Sequence, residues 1–141
     1  MEGPDNERRC IDIAARSRNA NIEPLIRSCE DAMEGDANEL ACIATAAQSR
    51  ALSSDAIRAC EDAMEGDANE LACIGTMSRS WLPLTAVRAC EDAMEGDANE
   101  LACIDALVGT RYEPAELVRY CEDAFAGDAD ELACIAQWSR F

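Results

Sequence analysis

Cys29-Glu-Asp-Ala-Met-Glu-Gly-Asp-Ala-Asn-Glu-Leu-Ala-Cys42-Ile43 is the stretch that decides the fold. It returns unchanged at Cys60–Ile74 and Cys90–Ile104, and in looser form at Cys121–Ile135. The four copies begin 31, 30 and 31 residues apart. Such a period belongs to stacked supersecondary units that bury their apolar sides against one another, not in one central core. Within the stretch, Gly35-Asp36 is the pivot. Glycine suits the position just past a helix end. Asp36 is a strong N-cap and Glu39 sits at N3, which predicts a capping box. One helix therefore ends near Met33 or Glu34 and the next starts at Asp36, and so short a connection makes them antiparallel.

The helix before the pivot, helix A, is expected over 22–34. Ile22, Leu25, Ile26, Cys29 and Met33 form its apolar stripe, with Arg27, Glu30, Asp31 and Glu34 on the wet face. Helix B is expected over 37–49. Leu40, Ala44 and Ala47 make one stripe, and Ala41, Cys42, Ile43 and Ala46 cover most of the rest. A helix apolar nearly all round is buried, so helices B are expected inside and helices A outside. The first residues carry half a unit. Met1-Glu2-Gly3 aligns with Met33-Glu34-Gly35, Asn6-Glu7 with Asn38-Glu39, and Cys10-Ile11 with Cys42-Ile43. The expected fold is an all-α solenoid of antiparallel helical hairpins with about nine helices. A half-repeat (1–20) precedes four hairpins (21–50, 51–80, 81–111 and 112–141). The alignment also leads to the expectation that Met1 is an internal repeat methionine serving as a start, with a longer product carrying the missing helix A.

Nine cysteines are heavy usage for 141 residues. Eight fall in pairs 13 positions apart: Cys29 with Cys42, Cys60 with Cys73, Cys90 with Cys103, and Cys121 with Cys134. At ~1.5 Å rise per residue, both members of a pair lie about 9 Å from the turn on facing helices. One disulfide per hairpin is expected, since the bond needs Cα atoms within roughly 4.4–6.8 Å. Reduced core cysteines and a thiolate copper or zinc site are the competing readings. The latter lacks close C-x-x-C spacing or a histidine partner, so no metal ligand is named. Cys10 is left as a free thiol or in an intermolecular link. Disulfides place the chain in an oxidising setting, extracytoplasmic or secreted, although the N-terminal residues lack the apolar core of a signal peptide.

The charge is −17, with twelve arginines, no lysine and no histidine. Nucleic acid and anionic membrane surfaces are excluded on that balance, and no apolar run approaches a membrane span. Each turn region carries five acids: Glu30, Asp31, Glu34, Asp36 and Glu39 in the first, and Glu122, Asp123, Asp128, Asp130 and Glu131 in the fourth. These supply capping, dipole complementation and solubility, or bind divalent cations or a basic partner. The opposite edge varies from repeat to repeat and gathers arginines and rings. Arg50, Arg79, Trp81, Arg111, Tyr112, Trp138 and Arg140 are the candidate partner-binding residues there, with Phe141 beside them. The alternative is that arginine complements helix C-termini and the rings fill gaps between repeats.

An enzyme is not expected. No histidine or lysine is available, the cysteines have no adjacent base, and no Gly-rich phosphate loop is present. No cofactor is called for. The period resembles that of tetratricopeptide-like arrays, but their Trp, Gly and Tyr signature positions are not found here, and the chain is not assigned to that family. The expected function is a non-enzymatic, disulfide-stapled helical repeat that binds a protein partner, a basic one being the natural match, or serves as a structural scaffold. A metal-binding protein and a consensus-designed scaffold with no natural partner are the alternatives.

Overall fold

The repeated stretch folds, in each of its four copies, into the end of one helix, a tight corner and the start of the next. The computed structural model describes residues 3–141. Among the described residues there are nine helices and no strand: α1 (Pro4–Ala15), α2 (Ile22–Ala32), α3 (Asp36–Ala47), α4 (Ser54–Ala63), α5 (Asp67–Ser78), α6 (Leu84–Ala93), α7 (Asp97–Leu107), α8 (Pro114–Ala124) and α9 (Asp128–Trp138). This is an all-α repeat fold. The alignment of Met1 and Glu2 with a repeat turn lies outside the described residues.

The corner differs from the expected capping box. Helix A stops at Ala32, and Met33 is already extended (φ −106°, ψ 146°) with its side chain buried. Gly35 then takes φ 84° and ψ 146° and occupies the N-cap position itself, with no side-chain cap hydrogen bond. Gly66, Gly96 and Gly127 repeat that conformation, which side-chain-bearing residues rarely adopt. Asp36 is thereby moved one place inward to the first helical residue, and no side chain occupies the N-cap position. Asp36 complements the helix dipole and is free to reach a neighbouring repeat.

The chain divides into two units, Met1–Trp81 and Leu82–Phe141. In the first, α2 and α4 pack as one layer and α1, α3 and α5 as another, with hairpins α2/α3 and α4/α5 joining them. In the second, α6 and α8 form one layer, α7 and α9 the other, and the hairpins are α6/α7 and α8/α9. Helices B are not buried all round, contrary to expectation. In α3, Ala37 and Ala41 are exposed, and Ala68 and Ala72 repeat this in α5. A two-layer stack gives α3 neighbours on three sides only, α1, α5 and α2. The remaining side faces water, where alanine supports the helix without exposing a large apolar surface.

The core runs along the seam between the layers. Ile43, Ile57 and Ile74 are fully buried in the first unit, and Val87, Ile104, Leu107, Val118 and Ile135 nearly or fully so in the second. Each seam is crossed by disulfides: Cys29–Cys42 and Cys60–Cys73 in the first unit, Cys90–Cys103 and Cys121–Cys134 in the second, with Cα atoms 5.6–5.7 Å apart. Matched height on facing helices places them there, as the spacing predicts. Cys10 is a free, half-buried thiol on α1. Burial pushes its thiol up, and Glu30 and Glu39 add to the effect.

Candidate functional site

Asp36, Asp67 and Asp128, each the first residue of a helix B, build a ladder of lateral hydrogen bonds along the turn edge. Asp36 Oδ2 accepts from Asn6 Nδ2 at 2.6 Å. Asp67 Oδ2 accepts from the Glu34 backbone N–H at 3.0 Å and from Asn38 Nδ2 at 2.8 Å. In the second unit Asp128 Oδ2 does the same with Glu95 N–H (2.9 Å) and Asn99 Nδ2 (2.9 Å). Bonds to an ionised acceptor are the stronger kind. The recurrence of Gly-Asp in all four copies, followed by Ala-Asn in the first three, therefore has a structural cause, since these residues join successive repeats within each unit.

Just inside the ladder, the glutamate three residues on is buried in an acidic setting. Glu70 is 8% exposed and its Oε2 has no hydrogen-bond partner. It lines an open groove of 480 Å³ with Asp31, Glu34, Glu61, Gly66 and Asp67. Glu131, 6% exposed and likewise without a partner at Oε2, lines a groove of 620 Å³ with Asp92, Glu95, Glu122 and Asp128. Burial, then Asp67, Glu61 and Glu34, push the Glu70 carboxyl up from 4.5 to about 7. Burial, then Asp128 and Glu122, raise Glu131 as well.

The folded chain thus holds a proton on Glu70 that the unfolded chain releases near pH 4.5. Stability from this group is fully present below that pH and is lost as the pH rises to about 7. Glu70→Gln is expected to flatten this slope and to stabilise the chain above pH 7 by on the order of 1–3 kcal/mol. Urea midpoints at pH 5 and pH 8 check it. A wild-type minus variant difference that is the same at both pH values would refute the assignment.

The variable edge holds the rings. Trp81 is 81% exposed and fills no gap. Arg50, Arg79, Arg111 and Arg140 are exposed, with Arg79 reaching back to Thr76 Oγ1 at 3.5 Å. In the second unit Trp138 stands edge-to-face against Tyr112 (6.3 Å between centroids), Tyr120 (6.1 Å) and Phe141 (6.2 Å). Tyr112, Tyr120 and Trp138 line a groove of 410 Å³ with Leu117, Glu113 and Glu116. All three rings remain well exposed. Tyr112 and Trp138 were candidates on sequence, whereas Tyr120 was not. It stands where the other copies have Ser28, Ala59 and Ala89 immediately before the cysteine, a small-to-large change that the alignment displays.

Other residues of this edge are structural. Ser17, Ser49 and Thr110 occupy one repeat position and accept from the N–H two residues on, Asn19 (3.0 Å), Ala51 (3.1 Å) and Tyr112 (3.2 Å). Asn19 Nδ2 donates to the Ser49 and Leu52 carbonyls at 2.8 and 3.2 Å. These bonds tie together segments that look dissimilar in sequence.

Among the described residues, no group of three or more His, Cys, Asp or Glu side chains is placed to hold a metal ion. The eight repeat sulfurs are spent in disulfides and are unavailable as thiolate ligands. No described helix is long and apolar enough to cross a membrane. No family model matches the chain, and neither a curated protein nor a solved structure matches it.

Proposed function

We propose that this chain is a non-enzymatic, disulfide-stapled recognition module for a protein partner, working in an oxidising extracytoplasmic setting. The observation that carries this reading is the aromatic groove of the second unit. Exposed Tyr112, Tyr120 and Trp138 surround Leu117, with two glutamates at the rim. Tyrosine and tryptophan are the residues on which binding energy concentrates, and exposed apolar clusters of this kind mark contact surfaces. The net charge of −17 and the glutamates at the rim favour a basic partner, whose arginine or lysine side chains would also stack on the rings. Four disulfides support an oxidising location. Arg50, Arg79, Trp81, Arg111 and Arg140 are the further contacts proposed on the variable edge.

The test is capture from the extracytoplasmic fraction of the source, followed by rebinding of the purified captured protein. The Tyr120→Ala/Trp138→Ala variant is expected to bind at least tenfold more weakly with its melting temperature little changed, because the rings it removes are exposed. Equal affinity of wild type and variant for the purified partner would sink the proposal, as would failure of any polypeptide to rebind.

A further inference from the structure

The two acidic grooves at the turn edge carry more carboxylates than the ladder engages. The ladder engages Asp67 and Asp128. Glu70 and Glu131 lie buried behind them, each with a carboxylate oxygen that receives no hydrogen bond. A buried carboxylate without a donor is costly, and the cost is relieved either by a proton or by a donor brought from outside. No basic side chain lines either groove.

The same arrangement is built in both units. Glu70 has Glu61, Asp67 and Glu34 around it, and Glu131 has Glu122, Asp128 and Glu95. The repeat text keeps these acids at equivalent positions even in the looser fourth copy, so the arrangement follows from the fold and not from one local accident.

We propose that each groove receives an arginine side chain from a basic protein segment, with the buried glutamate as its anchor. The shape decides between cations. The acids do not converge on one point as a metal requires. They surround open spaces of 480 and 620 Å³, far larger than a bare ion. A guanidinium presents five N–H donors in a planar fork and can address several separated carboxylates at once. Its weaker hydration also makes it the cation most readily taken toward a partly buried acid. Glu70 and Glu131 already line the grooves that the guanidinium would enter. This inference names the partner's chemistry at a second surface, and it stands independently of the aromatic groove.

The experiment is a calorimetric titration of the oxidised full chain with a capped tetra-arginine peptide at pH 8 and low salt. Three double variants are compared with wild type. Glu70→Gln/Glu131→Gln is expected to weaken binding about tenfold. Glu34→Gln/Glu95→Gln, at the exposed rims of the same grooves, is expected to weaken it about threefold and keeps the test informative if the buried pair alters folding. Glu23→Gln/Asp55→Asn removes the same charge from exposed sites outside both grooves and is expected to cost less than twofold. Equal losses in the groove and control variants would mean diffuse attraction to a −17 surface and would overturn the proposal. So would the absence of peptide binding, or stoichiometric calcium binding that Glu70→Gln/Glu131→Gln abolishes. The Tyr120→Ala/Trp138→Ala chain keeps both acidic grooves. Retained peptide affinity in that chain separates failure of the aromatic reading from failure of this one.

Discussion

Replacing Cys90 and Cys103 together by alanine is expected to lower the unfolding free energy of the second unit by about 3 kcal/mol. The bond closes a loop with a sequence separation of 13 between two helices of ten and eleven residues. Isolated helices of that length are marginal in water, so the hairpin depends on its seam. Cutting the bond restores loop freedom to the unfolded chain. It also leaves the space of two fully buried sulfurs to be refilled. The second unit, Leu82–Phe141, is small, and a single core below about 70–80 residues rarely supplies more than 3–5 kcal/mol. Reducing both disulfides of the second unit should therefore unfold it. Far-UV circular dichroism through a thermal melt, with and without a phosphine reductant, measures this. Unchanged helicity and melting temperature after complete reduction would mean that the staples contribute nothing.

Ile104→Ala should cost 2–5 kcal/mol, while Ile11→Ala should cost less than about 0.5 kcal/mol. The two residues occupy the same place in the repeat, directly after a cysteine of helix B. Ile104 is 0% exposed on α7, which packs against α6 as well as α9, and Ile11 is 66% exposed on α1, whose main neighbour is α3. Residue type and register are identical, so the comparison isolates the contribution of the covering helix. Chemical denaturation of both variants checks it, and similar losses at the two sites would contradict the two-layer packing.

Much of this was readable from the chain itself. The thirteen-residue cysteine spacing around a Gly-Asp corner places both sulfurs at one height, and that is arithmetic on helix rise. The apolar stripe of α2, with Leu25 and Cys29 buried, follows from a 3.6-residue period. The corner was legible as a turn, but its geometry was misread. Asp36 looks like a cap by local rules, yet Gly35 takes that place and the aspartate bonds Asn6, thirty positions away in sequence. No propensity scale registers a partner at that distance. The burial of helices B was overestimated for a related reason. Their alanine-rich text marks a face as tolerating close contact without saying whether anything is there to make it. Tyr120 was overlooked because its significance lies in the ring it meets, Trp138, which is one turn from the end of the chain.

Sequence alone determined the order of helix, corner and helix, and the spacing that brings two sulfurs to one height across each corner. These depend on periodicity and on separations of a few residues, where chain geometry leaves little choice. Tertiary structure decided which carboxylates are bonded and which are buried without a donor, and which rings meet at the end of the second unit. Those outcomes depend on what the neighbouring repeat presents. Solvation of a charge or an aromatic face is set by everything packed around it, not by the residues beside it in the chain.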